Sequence, residues 1–149
     1  MKTFLMFFFT ISILPLLSAC ATPSQILADA EVNRLCEIDG GIKVYGTVTL
    51  PPERFDKYGQ VRIPYKESAK TEDEYYIIWQ VQYLKEGNPS LSRDHVQVVR
   101  RLDSKILGES ISYVRIAGDI PGPWHHSTFR CPENAGSPRL IERIFIRAK

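Results

Sequence analysis

Hydrophobic and polar positions between residues 24 and 39 recur at the spacing of a helix. One apolar stripe runs along this segment and holds Val32, Leu35 and Cys36. Ser24 is a residue type favoured at helix N-caps, and Gly40 with Gly41 suits the end of a helix because glycine accepts the left-handed backbone conformation. The pattern predicts an N-terminal helix whose Cys36 face packs on the rest of the protein.

Farther along the chain, apolar and polar residues alternate in five segments, as they do in half-buried strands. These segments are residues 42–50, 74–85, 92–102, 105–117 and 139–147. In the second, we expect the core face to carry Tyr75, Ile77, Trp79, Val81 and Tyr83. Short turns join the three middle segments, which predicts an antiparallel meander. The expected fold is therefore α+β, with the N-terminal helix packed on an antiparallel sheet of about five strands.

Two long segments show neither periodicity, residues 51–73 and residues 118–136. Loops of this length are commonly functional or loosely ordered. Tyr58 and Tyr65 make the first loop a candidate ligand-facing rim. The alternative is a surface loop whose aromatic rings anchor it to the core.

The first twenty residues have a different pattern, with Lys2 followed by an uncharged run from Phe4 to Leu17. As a helix, this run of 14 residues spans about 21 Å. A helix that crosses a bilayer needs roughly 20 residues, so the run is too short. A charged start, a short apolar run and small residues after it are typical of a secretory signal. A transmembrane anchor with Cys20 as an incidental thiol is the alternative.

The residues that end this run, Leu17-Ser18-Ala19-Cys20, resemble the lipobox of bacterial lipoproteins. The resemblance implies that a diacylglycerol is attached to Cys20, that the chain is cleaved before it, and that membrane lipid is a partner. It implies a signal peptide at 1–19 and a lipidated tether at 20–23. The remaining residues, 24–149, have the length of a single domain. Ala21 stands where an aspartate commonly signals retention in the inner membrane, which favours the outer membrane. Residues 36–45 are also similar to a segment of small bacterial proteins with no assigned activity.

Charge excludes one class of partner. The formal net charge is +2, and because Lys2 is the one charged residue before Cys20, removing the signal peptide leaves +1. Nucleic-acid binding needs concentrated Lys and Arg, whereas here the signs alternate along the chain. We therefore expect no nucleic-acid partner. An envelope protein or a cell-wall component remains a possible partner.

Two cysteines, Cys36 and Cys131, remain in the expected domain. An exported chain meets an oxidising compartment, and two thiols leave one possible intramolecular bridge. A Cys36–Cys131 disulfide would tie the start of the domain to its end and close a loop of about 95 residues. Two buried, reduced cysteines are the alternative.

Candidate chemistry is sparse. His125 and His126 are the candidate metal ligands and Trp124 with His125 the candidate ligand contacts, but zinc usually needs three or four ligands, so no metal or cofactor is expected. The chain lacks a Gly-x-Ser-x-Gly elbow, a Ser-x-x-Lys motif and a phosphate loop. We expect a non-catalytic binding or accessory module of the cell envelope. The alternative is a small enzyme with a site between loops 51–73 and 118–136.

Overall fold

The structure is a computed structural model, and it describes residues 21–119 and 125–149. Two α-helices lie within these ranges, α1 (Pro23–Asp39) and α2 (Ser137–Ile144), with a 3₁₀ turn at Pro52–Arg54. The strands are β1 (Gly41–Val44), β2 (Val48–Leu50), β3 (Tyr75–Lys85), β4 (Ser90–Arg100), β5 (Lys105–Ile116), β6 (Thr128–Cys131) and β7 (Phe145–Arg147). Over these described ranges, no helix is both long enough and apolar enough to span a bilayer.

Five strands form one antiparallel sheet in the order β1-β5-β4-β3, with β6 also paired to β5. β1 pairs with residues 108–111 of β5 and β6 with residues 113–116, so the two short strands lie end to end along the same edge of β5. β2 and β7 form a separate parallel pair. The predicted fold class and the β3-β4-β5 meander are confirmed.

Each face of the sheet has its own apolar core. The face under α2 holds the larger core, formed by Leu50, Val61, Ile63, Ile77, Val96, Val98, Leu107, Leu140, Ile144 and Phe145. The face under α1 holds the smaller one, formed by Val32, Cys36, Leu91, Ile111 and Tyr113. The sheet is therefore the middle of three layers, with one helix on each side.

The N-terminal helix is confirmed, but its N-cap is Thr22 and not Ser24. Thr22 Oγ1 accepts the backbone N–H of Gln25, and the Gln25 side chain accepts the backbone N–H of Thr22, each at 3.2 Å. This reciprocal pair is a capping box. Pro23 suits the first helical position because proline has no N–H that would need a hydrogen-bond acceptor there. Val32 and Cys36 are buried, as their shared stripe predicts.

Cys36 and Cys131 form the predicted disulfide, with their Cα atoms 5.8 Å apart. The bond joins the last turns of α1 to the end of β6, and it links residues 95 positions apart in the chain. The smaller core packs around it. The disulfide therefore fixes α1 to the edge of the sheet where β6 lies.

The predicted final strand, residues 139–147, is wrong in its first six residues. Residues 137–144 form α2, and only Phe145–Arg147 are extended. Leu140 and Ile144 are both fully buried. Because they are four residues apart, they lie on the same side whether the segment is a helix or a strand. Pro138 in the first turn favours the helix because its fixed φ suits that position.

Two further sequence predictions are corrected. The predicted strand at 42–50 is two strands, because the chain turns at Tyr45 and Gly46, whose N–H groups both bond to Leu107 O. After the turn, β2 leaves the main sheet and pairs with β7. The predicted loop at 118–136 contains β6, a strand of four residues that is too short to show a clear alternation.

Candidate functional site

A groove of about 420 Å³ lies between residues 55–65 and helix α2. Its lining is formed by Phe55, Tyr58, Gly59, Gln60, Val61, Arg62, Ile63, Tyr65, Ile77, Ser137, Pro138, Arg139, Ile141, Glu142 and Phe145. Ile63, Ile77 and Phe145 belong to the larger core and are buried, so they form an apolar floor. Cavities of this size and lining are typical of small-ligand or peptide sites.

One wall of the groove is a tight turn built around Asp56. The Asp56 carboxylate accepts the N–H groups of Tyr58 at 2.8 Å and Gln60 at 2.9 Å. Phe55 and Val61 form an antiparallel bridge across the turn, and Gly59 has a φ of +75°, which side chains rarely allow. The turn presents Tyr58 to solvent with 75% of its surface exposed.

Helix α2 forms the other wall. Leu140 and Ile144 fix it to the sheet, and this orientation directs Ile141, Glu142 and Arg139 towards the groove. Arg139 Nη1 lies 2.9 Å from Glu142 Oε2 in an exposed ion pair. Across the groove, Arg62 is exposed, so the rim combines aromatic rings with two arginines and one glutamate.

An exposed aromatic strip continues from the groove along β3. The rings of Tyr65 and Trp79 lie 6.3 Å apart, and beyond them Val81 and Tyr83 are 43% and 61% exposed. We define the aromatic strip as Tyr65, Trp79, Val81 and Tyr83. The prediction that the β3 members of the strip lie in the core is therefore wrong, although Ile77 on the same face is buried.

The register explains why the core stops partway along β3. Val81 lies opposite Asp94 on β4, and Tyr83 lies opposite Ser92. Asp94 bonds to Arg130, whose Nη2 lies 3.2 Å from its carboxylate, and Arg130 also donates to Ser112 Oγ at 2.6 Å. Since polar residues fill this part of the face, no apolar layer from residues 21–119 or 125–149 covers Val81 and Tyr83.

The opposite face of the sheet carries a cluster centred on the Glu109 carboxylate. Tyr45 OH donates to one carboxylate oxygen, and His95 Nε2 lies 2.8 Å from the other. The bond from Tyr45, with that from His95, holds the pKa of Glu109 below its ordinary value in spite of burial. Because both oxygens are bonded and the acid stays ionised, Glu109 is a structural link between β5, β4 and the turn after β1.

A second cluster on that face is centred on Asp39 at the end of α1. Burial by itself raises the pKa of Asp39, but hydrogen bonds from Tyr113 at 2.6 Å and Arg93 at 2.9 Å outweigh it and lower the pKa. Burial, together with the same contact with Asp39, raises the pKa of Tyr113. These bonds fix the C-terminal end of α1 to β4 and β5.

A third polar network joins α1 to the segment after β5. Arg115 donates to the Asp29 carboxylate at 2.7 Å and to Ser127 Oγ at 2.6 Å. Gln25 donates to Ser127 Oγ at 2.7 Å and to Asp119 at 3.2 Å. The hydroxyl and backbone N–H of Ser127 lower the pKa of Asp119. The network closes one end of the α1 layer.

Most of the site residues predicted from the sequence do not meet at the groove. Cys20 and Trp124 lie outside the described residues. His125 and His126 are exposed, and His126 Nδ1 lies 4.0 Å from Asp119 Oδ2. Within residues 21–119 and 125–149, no three His, Cys, Asp or Glu side chains lie close enough to hold a metal ion.

The groove draws on one of the two loops expected to form a site. Residues 55–65 line it, but from the described part of the loop at 118–136 no residue does, and α2 forms the second wall. The lining contains Tyr58 and Tyr65, the two residues that mark the first loop in the sequence. Sequence reasoning missed Arg139 and Glu142 because it assigned them to a strand.

Comparison of the chain with family models, curated proteins and solved structures gives no match. The described lining residues include Ser137 and Glu142 but no histidine, cysteine or lysine. The lining is suited to binding, with aromatic and apolar surfaces for contact area and arginines for anionic groups.

Proposed function

We propose that this protein is an envelope lipoprotein anchored through acylated Cys20, and that its domain is a non-catalytic binding module. Three observations support the anchor: the lipobox, the disulfide expected of an exported chain, and a helix that begins at Pro23 directly after a short tether. Ala21 after the cysteine supports the outer membrane as the location. Two or more acyl chains anchor a protein stably, whereas one does so only marginally.

The groove between residues 55–65 and α2 is the proposed ligand-binding surface. The observation that carries this proposal is its lining, an apolar floor under a rim with Tyr58, Arg62 and Arg139. Such a lining suits an extended ligand with apolar and anionic groups, as found in segments of envelope proteins and in cell-wall polymers. The rim tyrosines contribute contact area at low cost in conformational entropy.

Labelling with fatty acid tests the anchor. Bacteria expressing the full chain should incorporate labelled palmitate into the wild type and not into Cys20→Ala. The Cys20→Ala variant should also leave the membrane fraction. Equal labelling of both proteins would refute lipidation at Cys20.

Site-specific photo-crosslinking in intact envelopes tests the groove. A photoreactive amino acid at Tyr58 should give adducts of defined mass, and Arg62→Ala in the same chain should weaken them. The matched control is the same amino acid at Leu102, which is 92% exposed in the turn between β4 and β5. Identical adducts from both positions, or none from Tyr58, would contradict a ligand-binding groove.

A further inference from the structure

β3 is an edge strand whose outer backbone groups are unpaired beyond Ile77 in the described structure. β4 pairs with one side of β3. On the other side, Ile77 donates to Pro64 O at 2.9 Å and accepts from Lys66 N at 2.8 Å. Because outward-facing residues alternate along an antiparallel strand, Trp79, Val81 and Tyr83 also direct their N–H and C=O groups outward.

The free edge lacks the features that keep edge strands apart. Natural edges are commonly protected by lysines, other charges or prolines. The segment Tyr75–Leu84 contains no charged residue and no proline. The register shift between Tyr83 and Lys85 lies only at its far end. With Trp79, Val81 and Tyr83 also exposed on one face, this edge is suited to pairing with another strand.

The sequence of the free edge is nearly symmetric about Val81. Outward from Val81, the flanking residues form pairs of the same chemical type: Gln80 and Gln82, Trp79 and Tyr83, Ile78 and Leu84. Two copies of such a strand, paired antiparallel about Val81, place Trp79 opposite Tyr83 of the second copy and Gln80 opposite Gln82. The outward backbone groups then match as well, since each set belongs to residues 79, 81 and 83.

We propose that β3 is a dimerisation edge, at which a second copy of this chain pairs antiparallel over residues 78–84 with Val81 on the two-fold axis. The sheet then continues from one copy into the other. The Pro64–Lys66 segment already occupies the edge at Ile77, and this limits the pairing to residues 78–84. A second copy fits better than an unrelated peptide because the edge is complementary to itself.

The symmetry places both anchors on one side of the dimer. Antiparallel neighbours in a sheet are related by a two-fold axis perpendicular to it, so equivalent faces of the two copies lie on the same side. Both α1 helices, and with them both N-terminal tethers, therefore lie on one face of the continuous sheet. This arrangement suits two copies anchored in a single membrane, and it does not depend on any ligand in the groove.

The dimer is expected to be weak in solution. A strand edge with two aromatic pairs buries less surface than a standard interface, which points to a dissociation constant of roughly 1–100 µM. Attachment to a membrane raises the effective concentration of the two copies. The paired state is therefore expected mainly on the membrane.

Cysteine crosslinking of the full chain in membranes tests the register. The Cα atoms of a hydrogen-bonded antiparallel pair lie about 5.5 Å apart, which suits a disulfide. Val81→Cys should therefore give a reducible dimer band on mild oxidation, and the wild type should not. Trp79→Cys or Tyr83→Cys alone should crosslink weakly, since each cysteine lies far from the same cysteine in the second copy. The two variants expressed together should crosslink well, because residue 79 of one copy lies opposite residue 83 of the other.

Sedimentation of the detergent-solubilised full chain tests the affinity. Val81→Lys places like charges opposite each other on the axis and should weaken dimerisation by at least tenfold. Val81→Pro removes an outward N–H that the pairing with β4 does not use, and it should have the same effect. Leu102→Lys, which adds the same charge in an exposed turn, is the matched control and should dimerise as the wild type does.

Three outcomes would overturn the proposal. The first is a monomeric wild type at every concentration with no Val81→Cys band. The second is Tyr83→Cys crosslinking alone as readily as Val81→Cys, which would place the axis elsewhere. The third is a dimer that survives both Val81→Lys and Val81→Pro. A chain that binds other proteins through β3 but stays monomeric would also refute the proposal, as an example of the first outcome.

Discussion

Arg115 has only 4% of its side chain exposed, and its bonds hold together three parts of the chain. It pairs with Asp29 of α1 and donates to the carbonyl oxygens of Ala117 and Ser127. A buried charge of this kind is tolerated because its donors are satisfied. Removing the guanidinium leaves these acceptors without their donor in a largely water-excluded site.

We therefore expect Arg115→Leu to lower the free energy of unfolding by about 3 kcal/mol, measured by urea denaturation. Arg115→Lys keeps the charge but not the planar set of donors, so its loss should be smaller. A double variant, Arg115→Leu with Asp29→Leu, should recover part of the stability because it also removes the unpaired carboxylate. An Arg115→Leu protein as stable as the wild type would contradict this account.

The carboxylates of Glu109 and Asp39 make stability depend on pH in the acid range. Their pKa values are lowered in the folded protein, so folding is favoured by these groups above the unfolded pKa values of about 4. This stabilisation is lost as the pH falls through the lower pKa values of the folded state. The domain should therefore lose stability progressively below about pH 4.5.

Glu109→Gln tests this dependence. The substitution should lower the free energy of unfolding by about 1 kcal/mol at pH 7, since it weakens the bonds with Tyr45 and His95. It should also make the decline in stability below pH 4.5 shallower, because one titrating group is gone. Glu67→Gln at an exposed position is the control for loss of charge alone at pH 7. Parallel pH profiles for Glu109→Gln and the wild type would contradict the role assigned to this carboxylate.

At the scale of elements, the contact between α2 and the sheet depends on Gly108. A Cβ atom at this position would lie 2.8 Å from Lys43 O, 3.0 Å from Ile144 Cδ1 and 3.1 Å from Leu140 Cδ1. The two apolar contacts are the residues that fix α2, and the third is the backbone of β1. Glycine at 108 therefore allows α2 and β1 to approach β5 together.

Gly108→Ala should lower the free energy of unfolding by about 1–3 kcal/mol, because it overpacks this contact. Gly46→Ala is the matched control, since its Cβ would meet Leu107 Cδ2 at an ordinary 3.8 Å. The control should change stability by less than about 0.5 kcal/mol or increase it slightly. If both variants unfold at the same denaturant concentration, the close approach of α2 does not require glycine at position 108.

The elements also divide into those that sequence patterns predict and those that they do not. α1 and the meander β3-β4-β5 were predictable because each is long and has a clear period. α2 was not, because Leu140 and Ile144 fit either a helix or a strand over so short a segment. β6 was missed since four residues carry little pattern, and its place beside β5 depends on a partner distant in sequence.

The candidate site was predictable only in part, for a related reason. Tyr58 and Tyr65 mark the groove in the sequence as aromatic residues in a polar loop. Arg139 and Glu142 join them only through the packing of α2, and the exposure of Val81 and Tyr83 depends on which β4 residues lie opposite. Neither property can be read from one segment of the chain alone.

At the scale of the whole molecule, the two faces of the sheet have different surroundings. The face under α2 carries the groove and the aromatic strip. The other face carries α1, the disulfide and the ionised clusters around Asp39 and Glu109. Since the tether leads into α1, the proposed anchor and the proposed ligand contact different faces. A bound ligand therefore does not compete with the attachment of α1.

The disulfide has a mechanical consequence for a protein held at its N-terminal end. When the chain is pulled at residues 21 and 149, the force reaches Cys36 after α1 unravels. It then passes through the sulfur atoms to Cys131, so the residues between the two cysteines, including β1 to β5, carry no tension along the chain. Stretched between residues 21 and 149 in an optical trap, the oxidised protein should lengthen to only about 120 Å, and the reduced protein to about 450 Å. Equal lengths in both states would contradict this force path. For a load between the proposed anchor and residue 149, the disulfide therefore limits the extension to the residues outside the loop that it closes.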